Sequence, residues 1–255
     1  MYSNKKNFSD LDAMVFAAGR GKRMRFMTKF VAKPLVRIKN VSLLETNIKK
    51  LSSRGIKKIV INSSYKHLTI KKSIKKLKFK YKLPKIFLTY EKIRLETGGG
   101  LKNAISYFKG SKLLVINGDS LLNNSVRLCP IKSLYSNFDK KYMDVILLLA
   151  KKKYTLGYKG HGDYKKLKCS NLSKLTSKES SYNEKYIFTG WQIINKDFID
   201  NFTEKQFTLK KVYDVAEKQG RLYGITYEDL FFHIGDVKSY TKLCKLVKEK
   251  KVNIS

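Results

Sequence analysis

The chain has 255 residues, 42% of them hydrophobic, enough to bury one substantial core. No apolar run approaches the roughly 20 residues that span a bilayer, and the polar N-terminus carries no signal-peptide segment, so a cytoplasmic protein without membrane insertion is expected. The formal net charge of +35 comes from lysines scattered from end to end rather than from a basic tail, and is read as surface composition with no specific nucleic-acid partner.

Residues 1–11 are expected to form a flexible tail ahead of a single domain over residues 12–255. "DAMVFAA" (residues 12–18) reads as a buried strand, followed by the glycine- and cation-rich loop "GRGKRMRFMTKFVAKPLV". "VSLLETNIKKLSSRG" reads as a helix: Ser42 and Glu45 form an S-x-x-E capping box, Leu44, Ile48 and Leu51 give an apolar stripe, and Gly55 ends it. "IKKIVINSS" is a strand, and a lysine-rich amphipathic helix follows near residues 65–77. "KIFLTY" is a strand, "TGGGLKNAISYF" a glycine loop opening a helix, and "KLLVINGD" a strand ending on Asp119. "MDVILLLA" is another strand. From Tyr158 the pattern turns to hairpin strands, "GDYKKLKCSN" and "KYIFTGWQIIN", before helix, strand and a last helix over residues 237–251.

Strand–helix alternation with near-continuous apolar strands predicts an α/β fold: a Rossmann-like three-layer sandwich around a mostly parallel central sheet. Ligands bind such sheets at the carboxyl ends of the strands. The loops after Ala18, Asn62, Tyr90 and Asn117 all lie there.

"AAGRGKRM" (residues 17–24) follows a strand, where glycines allow a tight turn that aims N–H groups at phosphate oxygens, with Lys22 and Arg23 adding charge. It is neither a Walker loop nor a dinucleotide fingerprint, since the required spacings are absent. "AKPLV" (residues 32–36) adds Lys33, held beside Pro34. Taken alone, each short pattern also fits an ordinary strand–loop turn.

The whole span of residues 13–36 resembles the sugar-nucleotide pyrophosphorylases, the nucleotidyltransferases that make UDP-, GDP- or dTDP-sugars. Their motif is A-A-G-x-G-x-R-M followed by P-K-P-L; here Ala32 replaces the first proline. The resemblance continues through "VINSSY", "LETGGGL", "VINGDS", "FTGWQIIN" and "LYGITYEDLFFHIGDVKSY", and covers residues 12–245. Length and motif order are similar to the short bacterial branch, which includes N-acetylmuramate-1-phosphate uridylyltransferases and mannose-1-phosphate guanylyltransferase-like proteins.

The resemblance implies transfer of a nucleotidyl group from a nucleoside triphosphate to a sugar 1-phosphate, with release of pyrophosphate. UTP is favoured, GTP is the alternative, and UDP-N-acetylmuramate for cell-wall recycling is a candidate product. It implies Arg23, Lys33 and Asp119 as catalytic residues. It implies Ala17, Ala18, Gly19, Gly21, Lys22, Arg23, Asn62, Thr97, Gly98 and Gly99 at the nucleotide, and Lys33, Thr189 and Gly190 at the sugar phosphate. Mg²⁺ or Mn²⁺ is the implied cofactor, a hard cation suited to oxygen ligands, held by Asp119 with His233 as second candidate ligand or, alternatively, as a hydrogen-bond donor to phosphate. A second aspartate usual in the family is replaced: His233 stands at its position and Asp236 three residues on. That departure keeps open a catalytically weak, regulatory relative. The three cysteines, Cys129, Cys169 and Cys244, form no C-x-x-C pair and indicate neither a disulfide framework nor a zinc site.

Overall fold

The computed structural model describes residue 8 and residues 11–124, 129–178 and 184–254. Most of the expected tail lies outside the described residues. Phe8 and Leu11 are buried within the core, with Phe8 edge-on to the ring of Tyr135.

The chain opens with strand β1 (Asp12–Phe16), 3-10 turns at Lys22–Thr28 and Lys33–Leu35, and a small hairpin of β2 (Arg37–Ile38) and β3 (Val41–Ser42). Helix α1 (Leu43–Ser53), β4 (Lys58–Ser63), α2 (His67–Lys80), β5 (Lys85–Tyr90), α3 (Glu96–Asn103) and β6 (Lys112–Asn117) follow. Next come β7 (Ser120–Leu122), α4 (Pro130–Asn137), β8 (Val145–Ala150), β9 (Thr155–Leu156), β10 (Lys165–Lys166) and β11 (Leu172–Thr176). The chain continues through β12 (Ile187–Asn195), α5 (Lys196–Asp200), α6 (Leu209–Lys218), β13 (Leu222–Tyr227), β14 (Phe231–His233) and α7 (Val237–Lys248).

A nine-stranded sheet runs in the order β10-β11-β13-β8-β12-β6-β1-β4-β5. β5, β4, β1 and β6 pair in parallel, as do β13 and β8. β12 runs against β6 and β8, and β11 against β13 and β10, so the sheet is parallel in the main with two reversed strands. Side chains alternate between its faces. Ala13, Val15, Ile59 and Ile61 pack with Leu44 and Ile48 of α1, Ile70 and Ile74 of α2, and Leu134 of α4. Met14, Val60 and Val115 face the other way, onto Leu101 of α3, Phe198 of α5 and Val212 of α6. Three layers follow from that alternation. A separate three-stranded sheet, β7-β14-β9, packs with Leu243 and Val247 of α7 around Phe232.

Three local expectations change. The glycines after Thr97 sit inside α3 rather than in a loop before it, because that helix packs closer than a side chain permits: a Cβ on Gly98 would lie 2.3 Å from the Phe207 ring, and one on Gly99 2.2 Å from the Lys205 carbonyl. The two expected hairpin strands meet in an antiparallel bridge of Tyr164 with Tyr186, but β10 pairs with β11, which the sequence reading did not mark, and β12 is a central strand between β8 and β6; its nearly uninterrupted burial suits a position covered on both faces. The capping box on α1 is half formed. Ser42 Oγ accepts from the Glu45 amide at 3.1 Å, while the Glu45 carboxylate turns to the Tyr81 hydroxyl at 3.0 Å and Lys49 at 3.1 Å.

Candidate active site

The parallel register builds the site. Phe16 is level with Asn62 and Asn117, and Asn62 with Thr89, so the ends of β1, β4, β5 and β6 form one row at the carboxyl edge. Above that row lies a cavity of about 470 Å³, a size typical of small-molecule sites. It is lined by the loop from Ala18 to Arg23, by Lys33 and Pro34, by Asn62, Glu91, Arg94, Glu96 and Thr97, by Asn117 to Asp119, and by Gly235.

The glycine loop turns at Gly21, whose φ of 66° is the left-handed conformation that glycine adopts without strain. Its carbonyl accepts from the Met24 amide at 2.8 Å and from the Thr28 hydroxyl at 3.1 Å. Met24 is thereby fully buried, and Lys22 and Arg23 remain exposed at the cavity wall.

Lys33 and Asp119 meet at the cavity through an ion pair, Nζ to Oδ2. Both side chains are largely shielded, 11% and 22% exposed. Burial alone would raise the Asp119 pKa. The charges of Lys33 and His233 and the Lys33 hydrogen bond outweigh it, holding the carboxyl below its ordinary value. Asp119 is thus an anion, with a cation already beside it.

β14 brings His233 alongside. It pairs with Ser120 across the β7–β14 ladder, and the Ile234 amide donates to the Asp119 carbonyl at 3.1 Å. Burial, opposed by Asp119 and reinforced by Lys33 and Arg23, lowers the His233 pKa, so the ring is neutral at neutral pH. The ring sits against Gly235, at the rim of the cavity rather than in its wall. Asp236 is committed elsewhere. It caps α7 by accepting from the Ser239 amide at 2.9 Å and pairs with Lys159 at 2.7 Å. It does not stand in for the missing aspartate.

At the opposite wall Asn62 is fixed on both sides. Its Oδ1 accepts from the Ala17 amide at 2.8 Å, and its Nδ2 donates to Glu91 Oε1 at 2.7 Å. Glu91 Oε2 accepts from the Leu95 amide at 3.2 Å. Glu91 is 2% exposed yet lines the cavity, and the sequence reading missed it. Its available signal was position: it ends an acid-free run from residue 46 to residue 90, one residue past β5. Arg94 and Glu96 were missed too. They pair at 2.8 Å on the same wall, Glu96 with a positive φ of 62°.

The remaining expected residues divide. Ala18, Gly19, Gly21, Lys22, Arg23, Lys33, Asn62, Thr97 and Asp119 line the cavity. Ala17 contributes its amide to Asn62. Gly98 and Gly99 do not line it; both amides donate to the Phe207 carbonyl, at 2.8 and 3.0 Å. Thr189 is buried, and its hydroxyl donates to the Leu148 carbonyl at 2.8 Å. Gly190, at φ 81°, packs on Asn117 behind the cavity floor.

The arrangement can hold an anion. Arg20, Lys22, Arg23, Lys33 and Arg94 surround a concave site with backbone amides at a strand end. Among the described residues no group of three histidines, cysteines or acids could hold a metal by itself; of the three carboxylates lining the cavity, Glu91 is tied to Asn62 and the Leu95 amide and Glu96 to Arg94, and Asp119 lies beside Lys33. One carboxylate suffices where phosphates complete the coordination of Mg²⁺.

Comparisons with known proteins show the family. The model of the nucleotidyl transferase family matches residues 12–242. An N-acetylmuramate alpha-1-phosphate uridylyltransferase of Caulobacter vibrioides is 27% identical over 225 residues, 88% of this chain and 91% of that protein. A D-glycero-alpha-D-manno-heptose 1-phosphate guanylyltransferase of Campylobacter jejuni is 24% identical, over 90% and 97% of the two chains. Among solved structures, HddC from Yersinia pseudotuberculosis complexed with GMP-PN superposes with a TM-score of 0.67 at 23% identity, covering 92% of this chain and 99% of that one. A UDP-glucose pyrophosphorylase complexed with UDP-glucose gives 0.76 at 13% identity, covering 94% and 99%, and shares the fold. The chain belongs to the nucleotidyl transferase family.

Proposed function

We propose that this nucleotidyltransferase joins a nucleoside triphosphate, with UTP favoured, to a sugar 1-phosphate, and that N-acetylmuramate 1-phosphate is the acceptor. The carrying observation is the ring of cations around the Lys33–Asp119 pair, at a strand-end cavity that also presents Asn62 and Thr97. The uridylyltransferase similar over 88% of the chain supports the choice of base and sugar. Guanylyl transfer is the second reading, favoured by the similarity to the guanylyltransferase of Campylobacter jejuni.

A sugar phosphate is already a nucleophile, so the reaction needs no triad or covalent intermediate. The protein must hold two mutually repelling anions in line and offset charge as pyrophosphate leaves. Arg23 and Lys22 grip the triphosphate from the glycine loop. Lys33 serves the α-phosphate and the incoming sugar phosphate. Asn62, held by Glu91 and the Ala17 amide, presents a fixed polar edge to the nucleotide. Gly190 supports the sugar-phosphate end through Asn117, and Thr189 through its carbonyl, which accepts from the Ser120 hydroxyl. Mg²⁺ or Mn²⁺ is the proposed cofactor. Asp119 would hold it, His233 would contact it or a phosphate, and it would supply Lewis-acid charge neutralisation.

Pyrophosphate release across a matrix of triphosphates and sugar 1-phosphates tests the reading. Highest kcat/KM for UTP with N-acetylmuramate 1-phosphate supports it, and preference for GTP with a manno-configured sugar selects the second. No release with any pair removes both and leaves a binding-only relative.

A further inference from the structure

Helix α2 carries a feature that the active site does not use. No aspartate or glutamate occurs between residues 46 and 90, and α2 lies in the middle of that span. Its inner face is an ordinary core stripe: Ile70, Ile74 and Leu77 are buried against the sheet. Its outer face is unusual. Leu68 is 67% exposed and Phe79 is 96% exposed. Eleven residues is about three helical turns, so the two share one side of the helix, opposite the core stripe. Lys72 and Lys75 fall between them on that side, with Lys71 and Lys76 flanking, all exposed. Among the described residues none of these four lysines has an ion-pair partner.

We propose that this outer face of α2 docks on an anionic lipid surface. Surface composition alone accounts for exposed lysines, but it does not account for large apolar side chains projecting fully from the same row. A straight row of cations with an apolar group at each end matches a plane of negative headgroups above an acyl layer. The lysines meet the headgroups, and Leu68 and Phe79 enter the boundary below them. A nucleic acid would use the lysines equally well. It offers an aliphatic leucine nothing to stack on, which favours lipid. The helix lies flat on the membrane and does not enter it, in keeping with the absence of any helix long and apolar enough to cross one among the described residues.

The test is co-sedimentation of the full chain with vesicles of phosphatidylcholine, alone or with about one-third phosphatidylglycerol, at near-physiological salt. Binding is expected to the anionic vesicles and not to the neutral ones. Lys72→Gln with Lys75→Gln should weaken it about fivefold per lysine. Leu68→Ser with Phe79→Ser, which leaves the charge unchanged, should weaken it about tenfold per side chain. Lys242→Gln with Lys248→Gln, an equal charge loss on exposed positions of α7, should leave binding intact. Circular dichroism and pyrophosphate release without vesicles keep folding in view, since none of these side chains reaches the core or the cavity. Equal losses from the α7 pair, or full binding by the Leu68/Phe79 variant, would show a general charge effect and overturn the proposal. Tighter binding to a DNA duplex, lost with Lys72 and Lys75, would overturn it in favour of nucleic acid.

Discussion

Lys33 and Asp119, 86 residues apart in sequence, close on each other as an ion pair in the cavity wall. In the ligand-free chain each neutralises the other. On the proposed roles, substrate draws Lys33 toward a phosphate and frees the aspartate for a cation. On that proposal the pair is a resting arrangement of two groups with separate tasks.

Loss of a preorganised charge at a transition state costs about 10²–10³ in rate, or roughly 3–4 kcal/mol. Lys33→Ala and Arg23→Ala should each lower kcat/KM by that order. Lys33→Ala should also lower the melting temperature, since it strands Asp119 without its partner; Arg23, exposed, should not. Steady-state kinetics with thermal unfolding checks both. Near-normal turnover by either folded variant would remove its assigned role.

Asp119→Ala should abolish activity without unfolding the chain, and a chelator should abolish wild-type activity reversibly on adding back Mg²⁺ or Mn²⁺. Restoring the acid usual in the family, His233→Asp, should keep or raise the Mg²⁺-dependent rate, because carboxylate is the better ligand for a hard ion. Full turnover in chelator would remove the metal from the reaction. A dead but folded His233→Asp enzyme would give the imidazole a task of its own.

Glu91 holds Asn62 and the Leu95 amide from a site with 2% exposure. Glu91→Ala should leave both donors unpaired, costing about 1–3 kcal/mol of stability and raising KM for the triphosphate more than it lowers kcat. Asn62→Ala should raise the same KM while sparing that of the sugar phosphate. A Glu91→Ala enzyme with unchanged KM would reduce the residue to scaffolding.

Asp236 is held well below the usual carboxylate range, first by Lys159 and then by the Ser239 amide. A depressed folded pKa adds stability that is complete above the unfolded value of about 3.9 and is lost as pH falls below it. Asp236→Ala should cost about 1 kcal/mol at neutral pH as a lost cap. It should also flatten the acid limb of the melting-temperature profile below about pH 4. An unchanged limb would show that other carboxylates dominate there.

The strands and the glycine loop were legible because their signals are local. Apolar runs ending in Ala18, Asn62 and Asp119 mark the carboxyl edge whatever lies around them. Glu91 was not legible, since a lone glutamate after β5 acquires meaning only when Asn62 comes within hydrogen-bond reach. The glycines of α3 misled for the same reason. Their composition favours a loop, and it is the close approach of Phe207 that makes a glycine-rich helix the better packed state. The β7-β14-β9 sheet joins three short segments far apart in the chain, with no periodicity to announce it.

That small sheet also sets an order of events. Asp119 emerges from the ribosome long before β14, yet its carbonyl is satisfied by Ile234 and its side chain is flanked by His233. A nascent chain that has released β1 through β6 holds every strand of the parallel set β5-β4-β1-β6, while Asp119 still lacks these neighbours. The surroundings of Asp119 are therefore complete only once β14 lies between β7 and β9. Contacts between segments far apart in sequence, rather than the local pairing of the early sheet, complete the site proposed here.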